Sequence, residues 1–166
     1  MTRSLITAFA LLSGLTTASW ALDNTSTIEM LGSGNEGRVD QRGDANNTST
    51  VKQDGTGNGA FVDQSSANPF DQNENTSSIE QIGAGHHVNV SQGGAGNTNV
   101  SEIELEGGSN TVAIRQYEQF NDNYTRVEAT GGSQNSISVT QGGTGNTSSS
   151  TVVISGSDNT AWVSQH

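Results

Sequence analysis

The side chains that return at fixed spacing along this chain are carboxamides. Glutamine stands at Gln41, Gln64, Gln92, Gln116, Gln141 and Gln165, at intervals of 23, 28, 24, 25 and 24 residues. Six places before each stands asparagine, at Asn35, Asn58, Asn110, Asn135 and Asn159, with His86 in the third copy. Gln53 and Gln81 give two of the copies a second glutamine. A primary amide carries two donor hydrogens and an accepting oxygen. Its chemistry is recognition of its own kind, because an amide stacked in register donates to one neighbour and accepts from the other.

Groups suited to covalent or metal chemistry show no such recurrence. His86 and His87 are adjacent, and alternation along a strand puts them on opposite faces. Glu102, Glu104 and Glu106 form a same-face run with no His, Lys or nucleophile recurring beside them. Gly32-Ser-Gly34-Asn-Glu-Gly37 has the spacing of a dinucleotide loop, but no helical pattern follows it. Gly93-Gly-Ala-Gly-Asn97 and Gly142-Gly-Thr-Gly-Asn146 resemble calcium-binding nonapeptides. They are solitary, and Thr98 and Thr147 occupy the place of the ligand Asp. The expectation is a protein that is not an enzyme and has no catalytic residue, no metal site and no cofactor. A closed secreted β-solenoid that acts on polysaccharide or binds calcium is the rival class.

Composition narrows the field further. The chain has 166 residues, 17 acidic against 6 basic side chains, 21 glycines, one proline and no cysteine. Few aliphatic residues combined with a net charge of -11 is the balance of a disordered chain rather than of a globule with one large core. A pI near 4.3 excludes nucleic acid as a natural partner. Neither a disulfide framework nor a thiolate metal site is possible without cysteine.

The elements that would position the amides are strands. Each copy holds two stretches of alternation separated by a Gly/Asn turn, which predicts strand, turn, strand. One face of the first two copies reads Ile28, Met30, Asn35, Gly37, Val39, Gln41 and Val51, Gln53, Asn58, Ala60, Val62, Gln64. The equivalent positions of the later copies are equally free of Asp, Glu, Lys and Arg, while Glu29, Arg38, Lys52, Asp63, Glu104 and Arg115 fall on the other face. A lone copy buries too little to order itself, so the copies must stack as in a solenoid. The predicted fold is all-β: a β-solenoid of six stacked strand-turn-strand coils, with two parallel sheets and cross-β stacking. The copies are bounded at about 24–41, 47–64, 75–92, 99–116, 123–141 and 148–165. The long interval of 28 accommodates a loop, Ser65 to Glu74, that holds Pro69, and the fifth copy has one extra residue near Gly131 to Gln134. No capping element is apparent at either end of this pattern, so the stack is expected to add to itself end to end.

Ahead of the repeats, Arg3 and the apolar run Leu5 to Leu15 have signal-peptide character, with Ser19 and Ala21 at the -3 and -1 positions. Residues 1–21 are expected to be an export signal cut after Ala21, leaving 22–166.

The repeat template, and above all Val-Lys-Gln-Asp-Gly-Thr-Gly-Asn-Gly-Ala-Phe-Val-Asp-Gln at 51–64, resembles the curlin repeat of bacterial curli subunits. The resemblance covers about residues 24 to 165. It implies a structural amyloid subunit that crosses the periplasm and leaves through an outer-membrane secretion channel with its chaperones. Such a subunit meets a nucleator subunit at the cell surface and polymerises with itself into extracellular fibres for biofilm matrix and adhesion. The stacking ladder it implies comprises Asn35, Gln41, Gln53, Asn58, Gln64, Gln81, Gln92, Asn110, Gln116, Asn135, Gln141, Asn159 and Gln165. Some features depart from the family pattern. Met30, Leu105, Ala129 and Ile154 replace the first internal glutamine, six repeats stand where five are usual, and only Leu22 and Asp23 precede the first repeat. The last repeat lacks the basic residues of the minor, nucleating subunit, which favours the major type.

Overall fold

The structure, a computed structural model, describes residues 24–43, 46–66, 73–117 and 119–166. The expected signal segment with Ala21, and Pro69 in the long loop, lie outside them.

Among the described residues twelve strands follow one another: β1 (Thr25–Ser33), β2 (Glu36–Arg42), β3 (Asn46–Thr56), β4 (Gly59–Ser66), β5 (Glu74–Ala84) and β6 (His87–Gly94). The second half continues with β7 (Thr98–Gly108), β8 (Thr111–Gln116), β9 (Asp122–Ser133), β10 (Ser136–Gln141), β11 (Thr147–Ser155) and β12 (Thr160–Gln165). Odd strands form one sheet in the order β1-β3-β5-β7-β9-β11, and even strands form a second in the order β12-β10-β8-β6-β4-β2. Every neighbouring pair is parallel, and apart from one bulge in β9 equivalent residues of successive copies pair, as in Val51↔Ile79 and Gln64↔Gln92. The chain is therefore a two-sheet β-solenoid of about six turns.

Period-2 alternation explains both the sheets and the space between them. Val51, Ile79, Ile103, Val127 and Val152 form one buried apolar column, and Val62, Val90, Ile114 and Val139 form a second. They pack in a single apolar core, against which Ile28, Val39, Ala161 and Val163 of the outer coils are only partly buried. Parallel sheets are usually covered on both faces. Here the outer faces carry mainly Thr, Ser and charged side chains, with Val153 and Trp162 exposed among them, so the two sheets have only each other for cover.

Glycine sets the arch between the two strands of a coil. Gly55 has φ +135°, and a Cβ placed there would stand 1.7 Å from the Gly83 carbonyl oxygen. Successive arches nest backbone on backbone, so no side chain fits at this position. The extra residue of the fifth copy appears in β9: Leu105 pairs with Ala129, but Gly107 pairs with Gly132. The bulge absorbs the insertion within one strand, and the next strand is back in register, with Ser136 of β10 paired to Thr111 of β8.

Candidate functional site

The six closing glutamines stand at the ends of the even strands, pointing inward. Gln41 Nε2 donates to Gln64 Oε1 at 2.9 Å, and Gln64 donates to Gln92 at 2.8 Å. The chain of donors continues from Gln92 to Gln116 at 2.8 Å, Gln116 to Gln141 at 2.9 Å and Gln141 to Gln165 at 2.8 Å. Each Nε2 also donates within its own coil, to the carbonyls of Thr25, Thr48, Thr76, Val100, Tyr124 and Ser149 respectively. One amide hydrogen thus runs along the stack axis and the other ties the even strand back to the odd strand. Gln64, Gln92, Gln116 and Gln141 are at most 1% exposed, a burial tolerable only because both donors are used.

At the opposite corner the arch residues form a second ladder with mixed backbone and side-chain partners. The Asn58 amide donates to Asn35 Oδ1 and the His86 amide to Asn58 Oδ1, each at 3.0 Å. Asn110 N–H then donates to His86 Nδ1 at 3.3 Å, Asn135 N–H to Asn110 Oδ1 at 3.2 Å, and Asn159 N–H to Asn135 Oδ1 at 3.0 Å. His86 keeps the column continuous because its Nδ1 accepts where Asn Oδ1 accepts elsewhere. Its Nε2 therefore carries the hydrogen and donates to the Ile82 carbonyl at 3.2 Å. Burial pushes the imidazole pKa below its ordinary value of 6.5, although the carbonyls of Ile82 and Gly107 pull the other way. His87 lies exposed on the other face.

Gln53 and Gln81 make a ladder only two members long. Gln53 Nε2 donates to Gln81 Oε1 at 2.8 Å, and the column then continues through the buried apolar side chains of Leu105, Ala129 and Ile154.

Two further ladders lie at the turns between coils. Asn47 Nδ2 donates to Asn24 Oδ1 at 2.9 Å, and Asn75, Asn99 and Asn123 continue at 2.8 Å each. Two residues earlier, Asn97 N–H donates to Asn73 Oδ1, Asn121 N–H to Asn97 Oδ1, and Asn146 N–H to Asn121 Oδ1. The set Asn73, Asn97, Asn121 and Asn146 was not anticipated from the sequence. Its signal was present in the Gly-Gly-x-Gly-Asn stretches that end at Asn97 and Asn146, which resemble calcium loops but serve here as arches. Among the described residues, no group of three or more His, Asp or Glu side chains is placed to hold a metal ion.

Outer-face charges pair loosely. Lys52 Nζ lies 2.6 Å from Glu80, Arg42 bridges Asp40 and Asp63 at 3.0 Å each, and Arg126 lies 3.4 Å from Glu128 and 3.8 Å from Glu102. Glu102, Glu104 and Glu106 project outward from β7 as an exposed acidic row.

Residues 32–65 match the family model of the curlin associated repeat. The chain carries the curlin repeat. The matched stretch runs from the first arch through β4 and contains Asn35, Gln41, Gln53, Asn58 and Gln64, members of three of the ladders. Later coils stack on this curlin segment strand for strand, with Val62↔Val90 and Gln64↔Gln92 continuing its pattern. Neither a curated protein nor a solved structure matches the chain.

Proposed function

We propose that the chain is a curli-type fibre subunit of the major class. In this reading it is exported through its signal segment 1–21, released across the outer membrane through a secretion channel, and polymerised with itself at the cell surface. A nucleator subunit starts the fibre, and the fibres serve the biofilm matrix and adhesion.

One observation carries this reading: the outer coils of the stack are complementary to each other across the axis. Gln165 Nε2 donates within its coil and points its remaining hydrogen along the axis, where the Gln41 Oε1 of a next molecule completes the ladder. Asn159 Oδ1 stands ready for the Asn35 N–H of that molecule. Val152 would meet Ile28, and Val163 would meet Val39, whose partial exposure in the single molecule such stacking removes. The ladder therefore has an acceptor at one end and a donor at the other, so addition is head to tail. The ladder residues from Asn35 to Gln165 are, in this reading, the assembly site.

The test is to purify residues 22–166 in denaturant, dilute, and follow thioflavin T fluorescence with circular dichroism. A lag abolished by seeds, a coil-to-β change and unbranched fibres are expected. A monomer that is β-rich at once and never seeds would overturn the reading in favour of a closed solenoid.

A further inference from the structure

On the outer face of the even-strand sheet one row runs Arg38, Phe61, Asn89, Ala113, Ser138, Trp162, each residue in register with the next. Trp162 closes the row on β12 and, at 78% exposure, is the most exposed of the described large apolar side chains. Its strand neighbour is Ser138, which is too small to cover an indole. At the other end, Arg38 has 71% of its side chain in solvent and lies 3.7 Å from the Asp40 carboxylate. Neighbouring residues of the row are separated by one strand spacing, about 4.8 Å.

We propose that Trp162 of one molecule packs on Arg38 of the next, enclosing the guanidinium between the indole and the ring of Phe61. The inference rests on the head-to-tail stacking proposed above and names the side-chain contact that locks it. Continuing the register of β10 and β12 by one coil places Trp162 beside Arg38 of the next molecule and Ser164 beside its Asp40. A guanidinium stacks flat on an aromatic face, and the second ring behind it extends that contact. The pair also selects register. A slip of one residue would turn every inward side chain of the added strand outward and remove the cation from the indole. An exposed ring on an outer strand is otherwise a liability for unspecific association. Here it is half of a contact that needs a second molecule.

Trp20 and Trp162 are the two tryptophans, and Trp20 lies in the proposed signal segment, so the processed chain 22–166 reports on Trp162 alone. Thioflavin T would follow assembly of that chain while emission maximum and acrylamide quenching follow the indole. On assembly the emission should move to the blue and quenching should fall. Adding Arg38→Gln should still give seedable fibres but with a more quenchable indole, and should leave about two- to fivefold more protein in solution at equilibrium. Arg38→Lys should lie between the two. Fibres in which Trp162 stays as quenchable as in the monomer would overturn the contact and leave the fibre reading standing. So would Arg38→Gln fibres matching the parent in both readouts. A parent chain that gives no seedable fibres would instead defeat the fibre reading, and this inference with it.

Discussion

Met30 lies in register with Gln53, and Gln53 Oε1 is buried without a hydrogen-bond partner. A thioether cannot donate, so the ladder that joins Gln53 to Gln81 lacks its first rung. Leaving a buried acceptor unmade costs about 1–3 kcal/mol.

Met30→Gln should supply the rung. Its Nε2 would donate to Gln53 Oε1 in the same sense as Gln41 donates to Gln64, raising stability by about 1 kcal/mol. The guanidinium midpoint for dissolving assembled fibres should rise in proportion. An unchanged or lower midpoint would mean that the polar replacement does not reach its partner.

The inter-coil ladder stops for a similar reason. Asn123 pairs in register with Ser148, and Asn123 Oδ1 is buried with no partner. Ser148→Asn should donate to that oxygen and add about 1 kcal/mol, read as a higher midpoint. The gain should vanish in the Asn123→Ala background, and a double-mutant cycle tests that dependence directly.

The odd-strand sheet carries a column of like charge. Glu80 faces Glu104, and Glu104 faces Glu128. Like charges directly opposite each other are destabilising, and Glu104→Lys would alternate the signs along the column. Stability should rise by about 0.5 kcal/mol at low salt and the lag before fibre growth should shorten, with both effects fading as ionic strength increases. A gain that persists in high salt would point to packing rather than charge.

His86 makes the stack sensitive to mild acid. Its pKa is lowered in the folded chain, chiefly by burial, so the unfolded chain takes up the proton first as pH falls. The contribution of this residue is complete above the ordinary value of 6.5 and is lost as pH drops through the lower folded value. Protonation at Nδ1 would also remove the acceptor of the Asn110 N–H. His86→Asn restores the repeat pattern and should flatten the pH dependence of stability between about pH 5 and 7. An equally steep dependence in the variant would assign the sensitivity to carboxylates.

Much of this architecture is legible in the sequence because burial and period share one cause. Ile28, Val51 and Ile79 fall on the same side of their strands as Gln41, Gln64 and Gln92, and alternation alone separates that side from Glu29 and Lys52. The extra residue of the fifth copy is visible as a broken interval and becomes the β9 bulge. The arch ladder of Asn73, Asn97, Asn121 and Asn146 is harder to read, since asparagine is expected in any Gly-rich turn and its spacing is masked by composition. Donor direction is not legible at all. A repeated Gln fixes where the amides lie, but which way each one points depends on the carbonyl it meets in its own coil.

That direction has a consequence for length. In the glutamine ladder the inter-glutamine hydrogen of each amide points toward the later coil, whereas in the Asn24–Asn123 ladder the inter-asparagine hydrogen points toward the earlier one. Each ladder alone is a row of aligned amide dipoles whose end charge would grow as the row polarises. Running two rows in opposite senses cancels much of that axial moment. In the proposed fibre, rows of opposed sense within each molecule would keep the axial dipole from building up in full with every coil added.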